Sequence, residues 1–348
     1  SSHFGSRTRP FSMCILALAL GCHPSFPFVC AHNRDEVRSR ASGETCLEPD
    51  TRLICGRDLE AGGMVMGLHS EKGHFAALTN CRTKHKRDLA QKASRGRLVE
   101  HLVTHGPGCA EEFLAAHQLD GFHVVFGNVF CAKPKFRRAW CCPEESGTGE
   151  FVAWRTGVED LSDGVFVVSN ENCNDHGGSW PKCRWLRDEV AAFFRSLPVS
   201  PPPSATRVHA GLADIMGRFD LPSVVPPAVL PRLFPPEKEV LLHTGPFAPW
   251  RPEFAEFGTV SQTIVVDDRT TSQFHYSHRG TNLIFAEDDA KSPRCAPWAT
   301  ISIPRPLAPV ACCAVGTTIE AMGSRVLLRK PAAELRKRHV GEARAAPP

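Results

Sequence analysis

The stretch Met13-Cys14-Ile15-Leu16-Ala17-Leu18-Ala19-Leu20, then Phe26–Ala31, then His32-Asn33-Arg34-Asp35-Glu36 decides the fold. The two apolar runs are separated by Gly21 and Pro24, and each is far shorter than the roughly 18–20 residues of a membrane span. They read as the two strands of a β-hairpin. A signal-peptide core behind Arg7 and Arg9 is the competing reading. It lacks an A-x-A cleavage pattern, and the run goes straight into His23-Pro24. The tetrad Asn33–Glu36 falls where the second strand should end. Residues 1–12 are Ser-rich and carry no acid, as a leader, tag or transit remnant would.

Downstream, Met64–His69 and His74–Thr79 flank Glu71-Lys72-Gly73, a second hairpin ending at Asn80. Residues 94–105 place Leu98, Leu102 and Val103 on one helical face, and residues 110–117 also have helical spacing. Phe122–Phe130, Phe151–Trp154 and Gly164–Ser169 read as strands, the last followed by Asn170. Residues 180–197 have helix composition, and Pro198–Ser204 (PVSPPPS) breaks it as a surface linker. Thr263–Asp267 is the last clear strand, with Gln273–His278 as its partner. Beyond about residue 280, Pro, Ala and Arg rise and periodicity fades, which reads as a divergent, disordered extension over 281–348. Short strands with few helices and no βαβ period predict an α+β protein of stacked antiparallel sheets with helices outside.

The chain has 348 residues, 42% of them hydrophobic and 22% charged, enough for a substantial core. Its net charge of +4 is scattered, so a nucleic-acid partner is not expected. None of the fifteen cysteines forms a C-x-x-C pair, which removes zinc-ribbon and thioredoxin readings and favours mostly reduced thiols.

The chemistry concentrates on Cys14. Were Met13 removed, Cys14 would carry a thiol and a free α-amine, whose pKa of about 7.7–8.0 suits it as its own general base. Arg34 and Asp35, on the partner strand, could orient that amine and tune the thiol. Asn80 and Asn170 each follow an apolar run, where two amides aimed at one point would serve as oxyanion donors. Each feature also has a structural reading, as a turn former or a solvated turn.

These segments together resemble the NRDE family, also called the transport and Golgi organisation protein 2 family. The resemblance rests on Met13-Cys14 with Ala31–Glu36, Gly62-Gly63 with Gly67, Ala76–Asn80 and Ser94–Val99. It continues through Gly121-Phe122 with Gly127-Asn128, Ser169-Asn170 with Trp180-Pro181-Lys182, and Phe257-Gly258-Thr259 with Thr263 and Val265, over residues 13–280. It implies a four-layer αββα sandwich of the N-terminal-nucleophile hydrolase type. Cys14 then matches the nucleophile, Asn33–Glu36 the activating segment, and Asn80 and Asn170 the oxyanion region.

The resemblance also implies an amphipathic small-molecule ligand, haem or acyl-CoA and related lipid, in trafficking, Golgi organisation, secretion and mitochondrial homeostasis. The expected setting is the cytoplasm, with mitochondrial or Golgi association, and no transmembrane segment. The alternative is a cysteine amidohydrolase cleaving non-peptide C–N bonds through Cys14. Val260 stands where the family carries an arginine, removing a natural clamp for a carboxylate or oxyanion. That favours binding over cleavage. No metal is expected, since His101 and His105 lack the glutamate of a zincin. The same two histidines and Cys142-Pro143 are weak candidates for haem contacts.

Overall fold

The structure is a computed structural model. It describes residues 14–306 except 38, 41, 84, 86, 88–92, 147–149, 172–179, 220, 222, 225–235, 249–256 and 282–295. The described chain is α+β and is built on two large antiparallel sheets.

The first sheet has the order β10-β1-β2-β11-β12-β13. Its strands are β1 (Ile15–Leu20), β2 (Phe28–Val37), β10 (Gly164–Val168), β11 (Phe257–Asp268), β12 (Gln273–Gly280) and β13 (Ala299–Pro304). The second runs in sequence order, from β3 (Cys46–Leu47) and β4 (Leu53–Arg57) through β5 (Met64–His69) and β6 (His74–Asn80) to β7 (Phe122–Asn128), β8 (Lys135–Glu145) and β9 (Phe151–Leu161).

Period-two alternation sorts the side chains of each strand into two cores. Leu16, Leu18, Leu20, Phe28 and Cys30 meet Phe75, Ala77, Val125 and Phe136 between the two sheets. Phe28 anchors this layer, stacked on Phe136 at 4.8 Å and edge-on to Phe75 at 5.0 Å between ring centroids. The alternate residues Ile15, Ala17, Ala19, Val29 and Ala31 face α3 (Pro181–Ser196) and α4 (Ala205–Met216). On the far side, Leu53, Ala76, Leu78 and Val124 pack on α1 (Arg95–His105) and α2 (Ala110–Ala116). No described helix is long and apolar enough to cross a membrane.

The first hairpin forms as its apolar runs predict, with Leu16 opposite His32 and Leu20 opposite Phe28. The expected end of its second strand is wrong. β2 continues through Asn33–Glu36 to Val37, and all four polar residues are buried. They tolerate burial because each has a partner. Asn33 Nδ2 donates to the carbonyls of Met216 and Pro246, and Gln262 Nε2 donates to Asn33 Oδ1. Arg34 pairs with Asp58, Thr259 donates to Asp35, and Glu36 accepts from Val37 N–H.

The stretch read as an extension contributes to the fold. Residues 299–304 form β13 along β12, while 282–295 and 307–348 lie outside the described residues, as do residues 1–13. Periodicity did not reveal α4, α5 (Pro236–His243) or β8.

Candidate functional site

Cys14 stands immediately before β1, buried at the end of the two facing sheets. Its backbone carbonyl accepts from Ser169 Oγ at 2.9 Å, and Ser169 O in turn accepts from Thr79 Oγ1 at 2.9 Å. The starts and ends of β1, β10 and β6 are thus laced together at this point.

Cys14 opens onto a cavity of about 70 Å³ that it shares with Arg34, Glu36, Arg40, Asp58, Asn80 and the first residues of α1, Ser94–Gly96. Arg34 reaches it because even-numbered residues of β2 face between the sheets, as Phe28 and Cys30 do. Asp58 holds two cations at once: its Oδ2 accepts from Arg34 Nη2 at 3.1 Å and from Arg40 Nε at 2.8 Å. Its Oδ1 accepts the backbone N–H groups of Glu60 and Ala61, which fixes the carboxylate in place. Glu36 lies 3.8 Å from Arg34 and 3.6 Å from Arg40, and burial raises its carboxyl above the usual range.

Arg34 Nη1 is buried and donates to no group among the described residues. A guanidinium with one hydrogen-bonding edge committed and one nitrogen available is suited to a carboxylate or a carbonyl oxygen. Arg34 also lines a second, smaller cavity of about 30 Å³ with His32, Tyr276 and His278. Burial lowers those histidines to about 3 and about 4, so both are neutral at pH 7.

The α1 wall of the Cys14 cavity depends on close backbone approach. A Cβ on Gly96 would lie 2.9 Å from Gly63 Cα, and one on Gly63 would lie 2.9 Å from Gly96 Cα. The N-terminus of α1, whose exposed N–H groups favour negative charge, therefore sits against the cavity.

The structure brings Cys14, Arg34 and Asn80 to one cavity. Asn170 reaches it only through Asn80, its Nδ2 donating to the Asn80 carbonyl at 2.5 Å. Asp35 is on the opposite face of β2. It accepts from Thr259 Oγ1 at 2.7 Å and sits near the buried ammonium of Lys182 on α3. Burial raises Asp35 to about 7, with Lys182 and the Thr259 hydroxyl opposing the rise. Burial also lowers Lys182, whose Nζ donates to Leu242 O at 2.8 Å.

The sequence reading missed Arg40, Asp58 and Arg95. Arg40 and Asp58 lie between the two predicted hairpins, where the sequence has no periodic signal, and Arg95 is visible only as part of the Ser94–Val99 segment.

Of the residues weighed for haem contacts, Cys142 is buried and disulfide-bonded, and the rings of His101 and His105 lie 4.6 Å apart between centroids, tilted by 47°. Nine of the described cysteines are not disulfide-bonded, whereas Cys131 and Cys142 are.

No curated protein matches this sequence. A family profile described as transport and Golgi organisation 2 matches residues 13–281, which takes in both sheets apart from β13, the helices and every cavity-lining residue named above. The chain belongs to the transport and Golgi organisation 2 family.

Proposed function

We propose that this chain serves transport and Golgi organisation by holding an anionic amphipathic ligand, its polar head in the cavity beside Cys14. The observation that carries the reading is the buried Arg34 Nη1, a donor with no described partner on a residue that lines this cavity, where Arg34, Arg40 and Arg95 face the two carboxylates Glu36 and Asp58. At about 70 Å³ the cavity admits a head group, whereas whole-ligand pockets run about 300–1,000 Å³. A larger cavity of about 420 Å³ runs along β10, edged by Arg138, Glu159, Asp160 and Arg187, and its Val165–Val168 floor is the part assigned to the apolar remainder. Acyl-CoA, related lipid and haem all combine an acidic head with an apolar body, and the cytoplasm with Golgi or mitochondrial association is the setting this ligand class supports.

Titration of the full chain with palmitoyl-CoA and with haem tests this. Arg34→Gln should weaken binding roughly tenfold or more, the value of a charged hydrogen bond, and R138Q/R187Q should weaken it without touching the Cys14 cavity. Equal affinity in all three proteins overturns the reading.

A second reading has its own observation: Cys14, Arg34 and Asn80 share one cavity at the head of a central strand, between facing sheets covered by helices. That arrangement supports an N-terminal-nucleophile type of fold and an amidohydrolase. The Cys14 thiolate would attack an amide carbonyl, the amine would leave with a proton, and water would release the acyl group from the thioester. Intact mass after incubation with acyl amides decides it. A retained residue 13, or no acyl adduct on Cys14, sinks the hydrolase.

A further inference from the structure

A second chemical cluster lies behind the two asparagines. Cys81 directly follows Asn80 at the end of β6, His123 is the second residue of β7, and Cys142 lies on β8. The strand registers, Asn80 opposite Phe122 and His123 opposite Trp140, bring the three side chains together. One ligand atom from each lies within 4.8 Å of the other two, and all three residues are buried. A Cβ on Gly121 would lie 2.8 Å from Cys81 Cβ, so only glycine there lets Cys81 seat this deeply.

The imidazole borders the cluster, with Nε2 lying 3.9 Å from Cys142 Sγ, and a neutral ring carries one N–H and one lone pair. Its Nε2 lies 2.8 Å from the Glu171 carbonyl, which accepts only, so the N–H belongs on Nε2. The lone pair is then on Nδ1, which is buried and has no described partner. The ring therefore meets Cys142 through the same edge that meets the Glu171 carbonyl, and Nδ1 holds the lone pair left for an ion. In this structure Cys81 is a thiol, and Cys142 is held in a disulfide.

We propose that Cys81, His123 and Cys142 form a redox-gated site for a soft divalent cation of the zinc class, which nothing in the Cys14 reading requires. Two thiolates and an imidazole are the ligand set that zinc favours over hard cations. The site is closed while Cys142 is oxidised. A dithiol donates two electrons and two protons, converting the Cys142 disulfide to two thiols while closing into its own disulfide. The incoming cation then displaces the thiol protons of Cys81 and Cys142. Because Cys81 adjoins Asn80 and His123 is held by Glu171, the residue after Asn170, metal loading would fix both asparagines relative to each other.

The test uses the full chain, reduced with a dithiol that is then removed under nitrogen, and titrated with Co²⁺. About one equivalent should bind with thiolate-to-cobalt charge-transfer absorption, and Zn²⁺ should displace it. The oxidised protein should show no such band. Cys142→Ser and His123→Ala should weaken binding roughly tenfold or more, while Cys46→Ser, at an exposed cysteine, should not. If the variants fail to fold, the wild type still decides, since Zn²⁺ should slow alkylation of Cys81 and Cys142 and leave Cys46 unchanged. No band in the reduced wild type, a band undiminished in Cys142→Ser, or unaltered alkylation of Cys81 overturns the site. Equal binding by the oxidised protein overturns the gating.

Discussion

Asn170 donates its side-chain amide to the backbone carbonyl of Asn80 at 2.5 Å, joining the end of β10 in one sheet to the end of β6 in the other. This bond ties the two sheets at the mouth beside Cys14, where Ser169 and Thr79 continue the same chain of contacts.

Asn170→Ala should therefore strand a carbonyl at the sheet junction and remove a buried bond, costing about 1–3 kcal/mol. Urea unfolding should show a lower midpoint with an unchanged m-value. An unaltered midpoint would mean that the junction is held by Ser169 alone.

Gly96→Ala sets two effects against each other. Alanine favours a helix over glycine by about 1 kcal/mol, but its Cβ would press on Gly63 Cα at 2.9 Å, backbone against backbone. Overpacking typically costs about 1–3 kcal/mol, so the contact should win and the variant should melt lower. The displaced α1 should also expose Cys14, raising its alkylation rate. A stabilised variant would show that the α1 wall yields.

Asp35 and the buried histidines give opposite pH slopes. The folded pKa of Asp35, about 7, is above its unfolded value, so its contribution is full below about 4 and is lost as pH rises towards 7. His32, His123 and His278, at about 3, 4 and 4 in the fold, are depressed; their stability is present above about 6.5 and lost as pH falls. Burial also raises Glu36 and Asp267, which act as Asp35 does, but His243, depressed to about 2, joins the other three histidines, so unfolding free energy should fall between pH 6.5 and pH 4.5. Urea midpoints across that range check it, and a rising midpoint on acidification would refute it.

Asp35→Asn isolates the acid. The amide oxygen can still accept from Thr259, and no charge needs burial at high pH. The variant should gain on the wild type as pH rises from 5 towards 7, by at most about 1.4 kcal/mol for each step of one in pH, and hold that gain to pH 8. A constant difference between pH 5 and pH 8 would show that Asp35 does not titrate in this range.

The apolar hairpin, the inter-sheet aromatics and the α1 face were legible because burial imposes periods of 2 and 3.6 on hydrophobic residues. The polar tetrad was legible as chemistry but not as geometry. A charged run looks like a strand end, and only its long-range partners explain why it is buried: Asp58 for Arg34, Thr259 for Asp35 and Gln262 for Asn33. Strand alternation also splits Arg34 from Asp35, which adjacency in sequence conceals. Arg40 and Asp58 sit outside any periodic segment, so nothing local announced that they meet Arg34.

The family match ends at residue 281, yet the fold does not. β13 covers the edge of β12, Ile303 enters the core between the sheets, and Arg305 pairs with Asp267 while donating to the carbonyls of Phe130 and Cys131 in the opposite half. A recombinant fragment trimmed to the family boundary would bare a long strand edge and an apolar slot, the two features that invite chains to pair with one another. Yield of soluble monomer should thus turn on whether the fragment runs past Arg305, so the boundary for expression belongs about twenty-five residues beyond the one that homology draws.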